Sequence, residues 1–248
     1  MAAEVSGDAS TDSATAAAST LERFESWLTT APNARGTALG GGYQAVTELF
    51  HSPVGDFVVK TARGPWPWSW LGRTAIQREH EVYRRIDGIR GVPRCFGVID
   101  GRKLVLEHVR GGTFRRRETE ITNWDSFFAD LLETIDAIHS VGVAHGDLKR
   151  KDNLIVGADM RPYIVDFGVA SIDEPNATLW TRFMYRWMRQ YDYNAWIKLK
   201  YRRQVDALSP ADARLYRPTA AERVARVIRV AWQKLTLRRL RRKLWPRR

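Results

Sequence analysis

Two acidic loops separated by a short β-rich stretch constrain the fold of this 248-residue chain more than any other feature. The first loop is HGDLKRKDN (145–153) and the second is the DFG of residues 166–168, so that Asp166 follows Asp147 by 19 residues. Between them, NLIV and YIVDF flank the turn GADMRP. Short apolar runs on either side of a turn are typical of a β-hairpin. The pattern therefore predicts a loop, a hairpin and a second loop, with one acid in each loop.

A helix is predicted immediately before the first loop. Between Asn123 and His139, large apolar residues recur at helical spacing on one face; they are Phe127, Phe128, Leu131, Leu132, Ile135 and Ile138. Gly142 follows as a C-cap, since glycine adopts the left-handed conformation that ends many helices.

The N-terminal half is predicted to be rich in β-structure. VTELF and DFVVK form one hairpin, and VPRCFGVI and KLVLEHV form a second around Asp100-Gly101. Between the hairpins we expect a loop, GPWPWSWLG, and then a helix in TAIQREHEVYRRI that is capped by Thr74. LERFESWL, which begins at Leu21, has the spacing of another helix and is expected to begin the ordered part.

This order of elements predicts an α+β fold with two lobes. We expect a disordered leader over 1–20, a β-rich N-lobe with one main helix over 21–109, a C-lobe over 110–216 and a basic amphipathic tail over 217–248. The leader has no Lys or Arg and no apolar stretch of the kind found in secretion signals.

The net charge of +12 is concentrated in the tail. Residues 217–248 hold twelve Lys or Arg against Glu222 alone, so the rest of the chain carries only +1. Cys95 is the single cysteine, which excludes an intramolecular disulfide, and no apolar run is long enough to span a bilayer. We therefore expect a cytoplasmic location, with any anionic partner meeting the C-terminal third.

The two acidic loops carry the residue types that phosphoryl transfer requires. That reaction needs an acid to accept the proton of a hydroxyl, oxygen ligands for Mg²⁺ and a cation beside the transferred phosphate. HGDLK, then Asn, then DFG resembles the catalytic and metal loops of the protein-kinase-like superfamily. The resemblance implies a bilobal kinase fold that uses ATP and Mg²⁺, with Asp147 as catalytic base and Asp166 as metal ligand.

The resemblance extends to the N-lobe. It implies that Lys60, which ends DFVVK, binds the nucleotide's phosphates. It also implies that Glu79 forms an ion pair with Lys60, although Glu81 competes for this role on the same helix. By the same resemblance, residues 106–109 form the hinge between the lobes, and the backbone groups of Glu107 and Val109 pair with adenine. Gly40, Gly41 and Gly42 imply a phosphate-cradling loop, but Ala45 stands where the third glycine belongs.

Three departures narrow the resemblance. Gly146 replaces the arginine that usually follows the histidine, so control by phosphorylation of an activation loop is not expected. The metal-binding asparagine usually follows the catalytic Asp by five positions, whereas Asn153 follows by six and Asp152 holds the fifth; Asn153 is the preferred ligand. No APE motif follows DFG, and only 80 residues remain beyond Gly168. The C-lobe is therefore expected to be reduced and mostly helical, which resembles RIO-type kinases and bacterial lipopolysaccharide-core (Kdo and heptose) kinases.

More than one acceptor of the phosphoryl group is compatible with the sequence. Lys149, two residues after Asp147, resembles the lysine that neutralises the γ-phosphate in Ser/Thr protein kinases, which favours a protein hydroxyl. A lipopolysaccharide-core sugar at the inner membrane is the alternative, and a nucleotide-binding pseudokinase scaffold is a third. The basic tail favours an anionic membrane surface, with RNA a less favoured partner and a solvated tail also open.

Overall fold

The computed structural model describes residues 6–31, 33–41, 45–62, 69–202, 204 and 208–217. Its helices are α1 (Ser6–Thr30), α2 (Ser69–Arg85), α3 (Phe114–Arg117), α4 (Trp124–Ser140), α5 (Leu179–Lys200) and α6 (Pro210–Ala213). Its strands are β1 (Thr37–Gly41), β2 (Ala45–Ser52), β3 (Gly55–Ala62), β4 (Cys95–Ile99), β5 (Lys103–Glu107), β6 (Gly111–Thr113), β7 (Val143–Ala144), β8 (Leu154–Gly157), β9 (Pro162–Ile164) and β10 (Ser171–Ile172). Residues 218–248 of the predicted amphipathic tail, together with Gly42, Trp66 and Trp68, lie outside the described residues.

The N-terminal lobe is a five-stranded antiparallel sheet in the order β1-β2-β3-β5-β4. Both predicted hairpins are present, as β2 with β3 and as β4 with β5 around Asp100 and Gly101, which both have positive φ. Alternate residues of β3 point to opposite faces. Phe57 and Val59 are buried with α1, whereas Lys60 on the other face contacts α2.

Helix α1 corrects the predicted disordered leader over the described residues 6–20. The prediction was wrong there because this segment continues the amphipathic helix that begins at Leu21, and the three alanines at 16–18 favour that continuation. Phe24 is fully buried, and its ring centroid lies 4.5 Å from that of Phe57. Packing against the sheet therefore holds a helix that its own sequence would form only marginally.

Helix α2 begins five residues before the predicted start. Thr74 lies inside the helix and is not its cap, and Ser69 to Gly72, predicted as loop, are helical. Val82, Tyr83 and Ile86 are buried in the main core. Their burial offsets the cost of about 1 kcal/mol that Gly72 imposes on a helix interior.

The C-terminal lobe is built around α4 and α5. Asn123 caps α4 by accepting the Ser126 backbone N–H, and Gly142 has the predicted positive φ. Two tryptophans tie the helices together. Trp196 of α5 donates its indole N–H to the Phe128 carbonyl, and Trp124 donates to the Lys200 carbonyl.

Two small sheets complete this lobe and hold the acidic loops. The predicted hairpin is β8 with β9, and β6 pairs with the outer edge of β8. Strand β10 pairs with β7. Ten residues separate Gly168 from the start of α5 at Leu179. The predicted α+β class with two lobes is confirmed. In the part of the chain that the structure describes, no helix is both long and apolar enough to cross a bilayer.

Candidate active site

Lys60 lies between two carboxylates where the lobes meet. Its ammonium group donates to Glu79 Oε1 at 2.7 Å and to Asp166 Oδ1 at 2.6 Å. Glu81 instead contacts Arg84 and Arg85 on the outer side of α2. The helix therefore presents Glu79 to β3, whereas Glu81, two residues further on, lies on nearly the opposite side of the helix.

Burial and charge act in opposite directions on this cluster. Burial by itself lowers the pKa of Lys60, but the carboxylates of Glu79 and Asp166 outweigh it and raise that pKa above its usual value. Burial raises the pKa of Glu79 in spite of Lys60. Burial by itself raises the pKa of Asp166, but the charge and hydrogen bond of Lys60 outweigh it and hold that pKa below its usual value. At neutral pH, Lys60 is thus a cation and Asp166 an anion.

Asp166 also has an unusual backbone. Its φ is +69°, a left-handed conformation that is uncommon for any residue except glycine. The Phe167 side chain that follows is 1% exposed and packs between Tyr83 of α2 and His145 of the first loop. Packing of this ring and the ion pair with Lys60 hold Asp166 in the strained conformation.

The loop that carries Asp147 is held by two buried groups. His145 Nε2 lies 3.0 Å from the Val165 carbonyl, and the Asp147 backbone N–H donates to His145 Nδ1. These partners require the neutral ring with its proton on Nε2. His145 therefore connects the residue before Asp166 to Asp147 itself.

Asp192 of α5 is the second of these groups. Its carboxylate accepts the backbone N–H groups of His145 and Gly146, each at 2.8 Å, and lies 3.1 Å from His139 Nε2. Gly146 has a φ of +77°, so its conformation suits a residue without a β-carbon. A single buried carboxylate thus fixes the backbone just before Asp147.

Asn153 and Asp152 point in different directions. Asn153 is buried and donates its amide to the Asp147 carbonyl at 3.1 Å, which leaves its Oδ1 as an acceptor. Asp152 forms a bidentate pair with Arg115 of α3 on the outer surface. The extra residue in the loop is accommodated by turning Asp152 outward, which supports Asn153 as the preferred ligand. Metal binding by Asn153 remains a prediction.

Lys149 extends from the same loop toward α5. Its ammonium donates to the Tyr191 hydroxyl at 3.0 Å and lies over the Tyr191 ring. The hydrogen bond to Tyr191 raises the pKa of Lys149. The lysine is therefore a surface cation beside Asp147.

The residues predicted to bind the nucleotide through their backbone lie in two places, at the end of β1 and at the hinge after β5. Gly40 and Gly41 end β1 and pair with Thr47 and Val46 of β2. Glu107 ends β5; its side chain accepts the Arg94 backbone N–H, and its own backbone N–H donates to the Arg94 carbonyl at 2.8 Å. Val109 follows in the connection to the second lobe. Adenine and phosphate binding by these residues stay predictions.

Sequence reasoning missed three residues that shape this site. Asp192 had a detectable signal, because it is the only acid among residues 182–203, a segment with seven Lys or Arg. His145 was assigned only as part of a motif, without its two partners. Arg115 gave no signal, since a surface arginine in FRRR is ordinary.

Comparison with known proteins supports the same assignment. The family of the protein kinase domain matches residues 40–207, more than half of the chain. The chain belongs to this family. Three related kinases are similar over a shorter stretch: the 3-phosphoinositide-dependent protein kinase 1 of Rattus norvegicus, of Homo sapiens and of Mus musculus is in each case 28% identical over 109 residues.

These stretches cover 41% of the chain and 19% of each relative. The chain thus spans about a fifth of the length of these curated kinases. Membership of the kinase family supports the predicted enzyme class, a phosphotransferase that acts on hydroxyl groups.

Proposed function

We propose that this kinase transfers the γ-phosphoryl group of ATP to a Ser or Thr hydroxyl of a protein. The observation behind the proposal is the pair of ion pairs that Lys60 forms with Glu79 and Asp166. A cation on the β3 strand, an acid on α2 and an acid in the DFG loop together form the charge arrangement that orients nucleotide phosphates in kinases.

The donor set fits a magnesium ion. Asp166 offers a carboxylate of lowered pKa, and Asn153 keeps its amide oxygen as an acceptor while its amide nitrogen is used by Asp147. Carboxylate and amide oxygens are ligands that Mg²⁺ accepts. When bound, the ion neutralises charge on the phosphates. Glu79 holds Lys60 in position, and Lys60 binds the nucleotide's phosphates.

Asp147 acts on the acceptor. As the hydroxyl oxygen forms its bond to the γ-phosphorus, the hydroxyl proton passes to the Asp147 carboxylate, and the electron pair of the broken P–O bond leaves on ADP. Lys149 places a positive charge beside this step. The ring of His145 and the carboxylate of Asp192 keep the loop fixed.

A sugar of the lipopolysaccharide core is the second candidate acceptor. It is favoured by the exposed cations Arg116 and Arg150, which lie in and beside the catalytic loop. These side chains suit an acceptor rich in carboxylate or phosphate groups. The short connection from Gly168 to α5 also suits the reduced C-lobe of RIO-type and core kinases. Under this alternative, the kinase works at the inner face of the membrane.

Phosphate transfer by the purified full-length protein tests the proposal. The chain is incubated with γ-labelled ATP and either a mixture of Ser/Thr peptides or dephosphorylated core lipopolysaccharide. We expect labelled phosphoserine or phosphothreonine, and we expect Asp147→Asn to abolish labelling while ATP binding persists. Label in the sugar alone would replace the protein acceptor with the alternative. ATP binding without transfer to either acceptor would instead favour the pseudokinase scaffold.

A further inference from the structure

The first half of α5 exposes four large apolar side chains on one face. Leu179 is 87% exposed, Trp180 68%, Phe183 57% and Trp187 46%. Their spacing places them along about 12 Å of helix, and the Trp180 and Phe183 rings are stacked with centroids 5.8 Å apart. We call these four residues the α5 aromatic face. Contiguous apolar surface of this kind usually marks an interaction site.

The α5 aromatic face leads to the catalytic loop. Trp187 stacks on Tyr191 with a centroid separation of 5.3 Å, and Tyr191 accepts the hydrogen bond from Lys149. Lys149 is two residues from Asp147. A partner bound to this face would therefore lie next to the place where the acceptor hydroxyl must enter.

The exposed charges that α5 itself carries are positive. Arg182 and Arg186 are exposed on α5, and Lys149 and Arg150 are exposed on the neighbouring loop. Asp192, the single acid within α5, is 1% exposed and engaged with the loop backbone. This charge favours an anionic partner. It disfavours a second copy of the same helix and the chain's own tail, whose net charge is +11.

We propose that the α5 aromatic face binds the surface of an anionic lipid bilayer. Trp and Phe rings partition to the level of the lipid headgroups, and flanking Arg and Lys side chains bind lipid phosphates. Bound in this way, the kinase holds Asp147 close to the membrane surface. The inference is independent of whether the acceptor is a protein or a sugar.

Sedimentation of the full-length protein with vesicles tests the inference. Vesicles of phosphatidylcholine alone are compared with vesicles that contain about 30% phosphatidylglycerol. Salt at about 0.5 M suppresses attraction that rests on charge alone, including that of the basic tail. We expect the wild type to keep measurable binding to anionic vesicles at this salt concentration. Trp180→Ser combined with Phe183→Ser should weaken that binding about tenfold or more.

Matched variants separate this face from general surface effects. Leu39→Ser removes an apolar side chain that is 53% exposed on β1 and should sediment as the wild type does. Arg182→Glu with Arg186→Glu should weaken binding at low salt, whereas Arg23→Glu with Arg73→Glu, the same charge change elsewhere, should weaken it less. ATP binding and thermal unfolding of the serine variant should match the wild type, because its two aromatic side chains are largely exposed.

A spectroscopic measurement tests insertion directly. Brominated acyl chains quench tryptophan fluorescence at short range, and the quenched fraction should fall in Trp180→Phe and in Trp187→Phe. The inference is overturned if the serine variant sediments as the wild type does, or if neither phenylalanine variant changes the quenched fraction. It is equally overturned if the face proves to join two copies, seen as a dimer in sedimentation velocity that the serine variant abolishes.

Discussion

Replacing Asp192 by asparagine should weaken both the fold and catalysis. The Asp192 carboxylate accepts three N–H groups, from His139, His145 and Gly146, and the side chain is 1% exposed. Asparagine has nearly the same shape but only one acceptor oxygen. Its amide nitrogen must face at least one of these donors, which then has no acceptor.

The expected cost follows from those contacts. One buried donor without a partner costs about 1–3 kcal/mol, and the remaining bonds lose the extra strength that a charged acceptor provides. We therefore expect Asp192→Asn to lower the free energy of unfolding by about 2–4 kcal/mol. Because whole domains are stable by about 5–15 kcal/mol, the variant should still fold.

The effect on catalysis should be selective. The two backbone N–H groups belong to the residues just before Asp147, whereas Lys60 and Asp166 do not contact Asp192. We expect kcat to fall about tenfold or more, because the catalytic loop loses its anchor, while KM for ATP changes by less than about twofold.

Urea unfolding monitored by circular dichroism gives the stability, and transfer from labelled ATP gives the rates. Asp87→Asn, an exposed turn position, is the matched control and should behave as the wild type does. An Asp192→Asn variant within about 0.5 kcal/mol of the wild type, with unchanged kcat, would refute the role assigned to this carboxylate.

The loop, the thiol and α1 give three further predictions. In a Mg²⁺ titration, Asn153→Ala should raise the Mg²⁺ concentration needed for half-maximal phosphate transfer, whereas Asp152→Ala should not. The reverse pattern would make Asp152 the metal ligand. Burial raises the pKa of Cys95 to about 12, so at pH 8 the native thiol should react with a thiol reagent about a thousandfold more slowly than the urea-unfolded chain; similar rates would contradict its burial. Phe24→Ala should lower the unfolding free energy by about 3–5 kcal/mol, whereas Leu39→Ala should change it by less than about 1 kcal/mol. Equal effects in thermal or urea unfolding would mean that α1 does not pack on the sheet.

Local patterns predicted the elements of this fold well. The alternation in DFVVK and the apolar spacing over 123–139 depend on neighbours a few residues apart, so strand β3 and helix α4 were found near their actual bounds. The resemblance then singled out Lys60 and Glu79, which the fold brings within 2.7 Å of each other. Family patterns could do this because they record contacts that periodicity cannot detect.

Contacts between distant segments escaped prediction. Asp192 meets His145 across 47 residues, and Arg115 meets Asp152 across 37. Nothing in the sequence near either residue indicates its partner. Helix α1 was missed for a related reason, because a polar, alanine-rich segment resembles a disordered one until the sheet that it covers is known.

The position of α1 has a consequence for the order in which the chain folds during synthesis. Phe24 is synthesised before the residues that cover it, because Ile99 and Val105 follow about 80 residues later. The apolar side of α1 therefore stays exposed until strand β5 has been synthesised. If residues 1–30 were deleted, Phe57, Val59 and Val105 of the folded sheet would be exposed to water. This apolar surface would promote aggregation with neighbouring chains. Helix α1 thus packs in its final place only after strand β5 has been made, and the N-lobe stays prone to aggregation until it does.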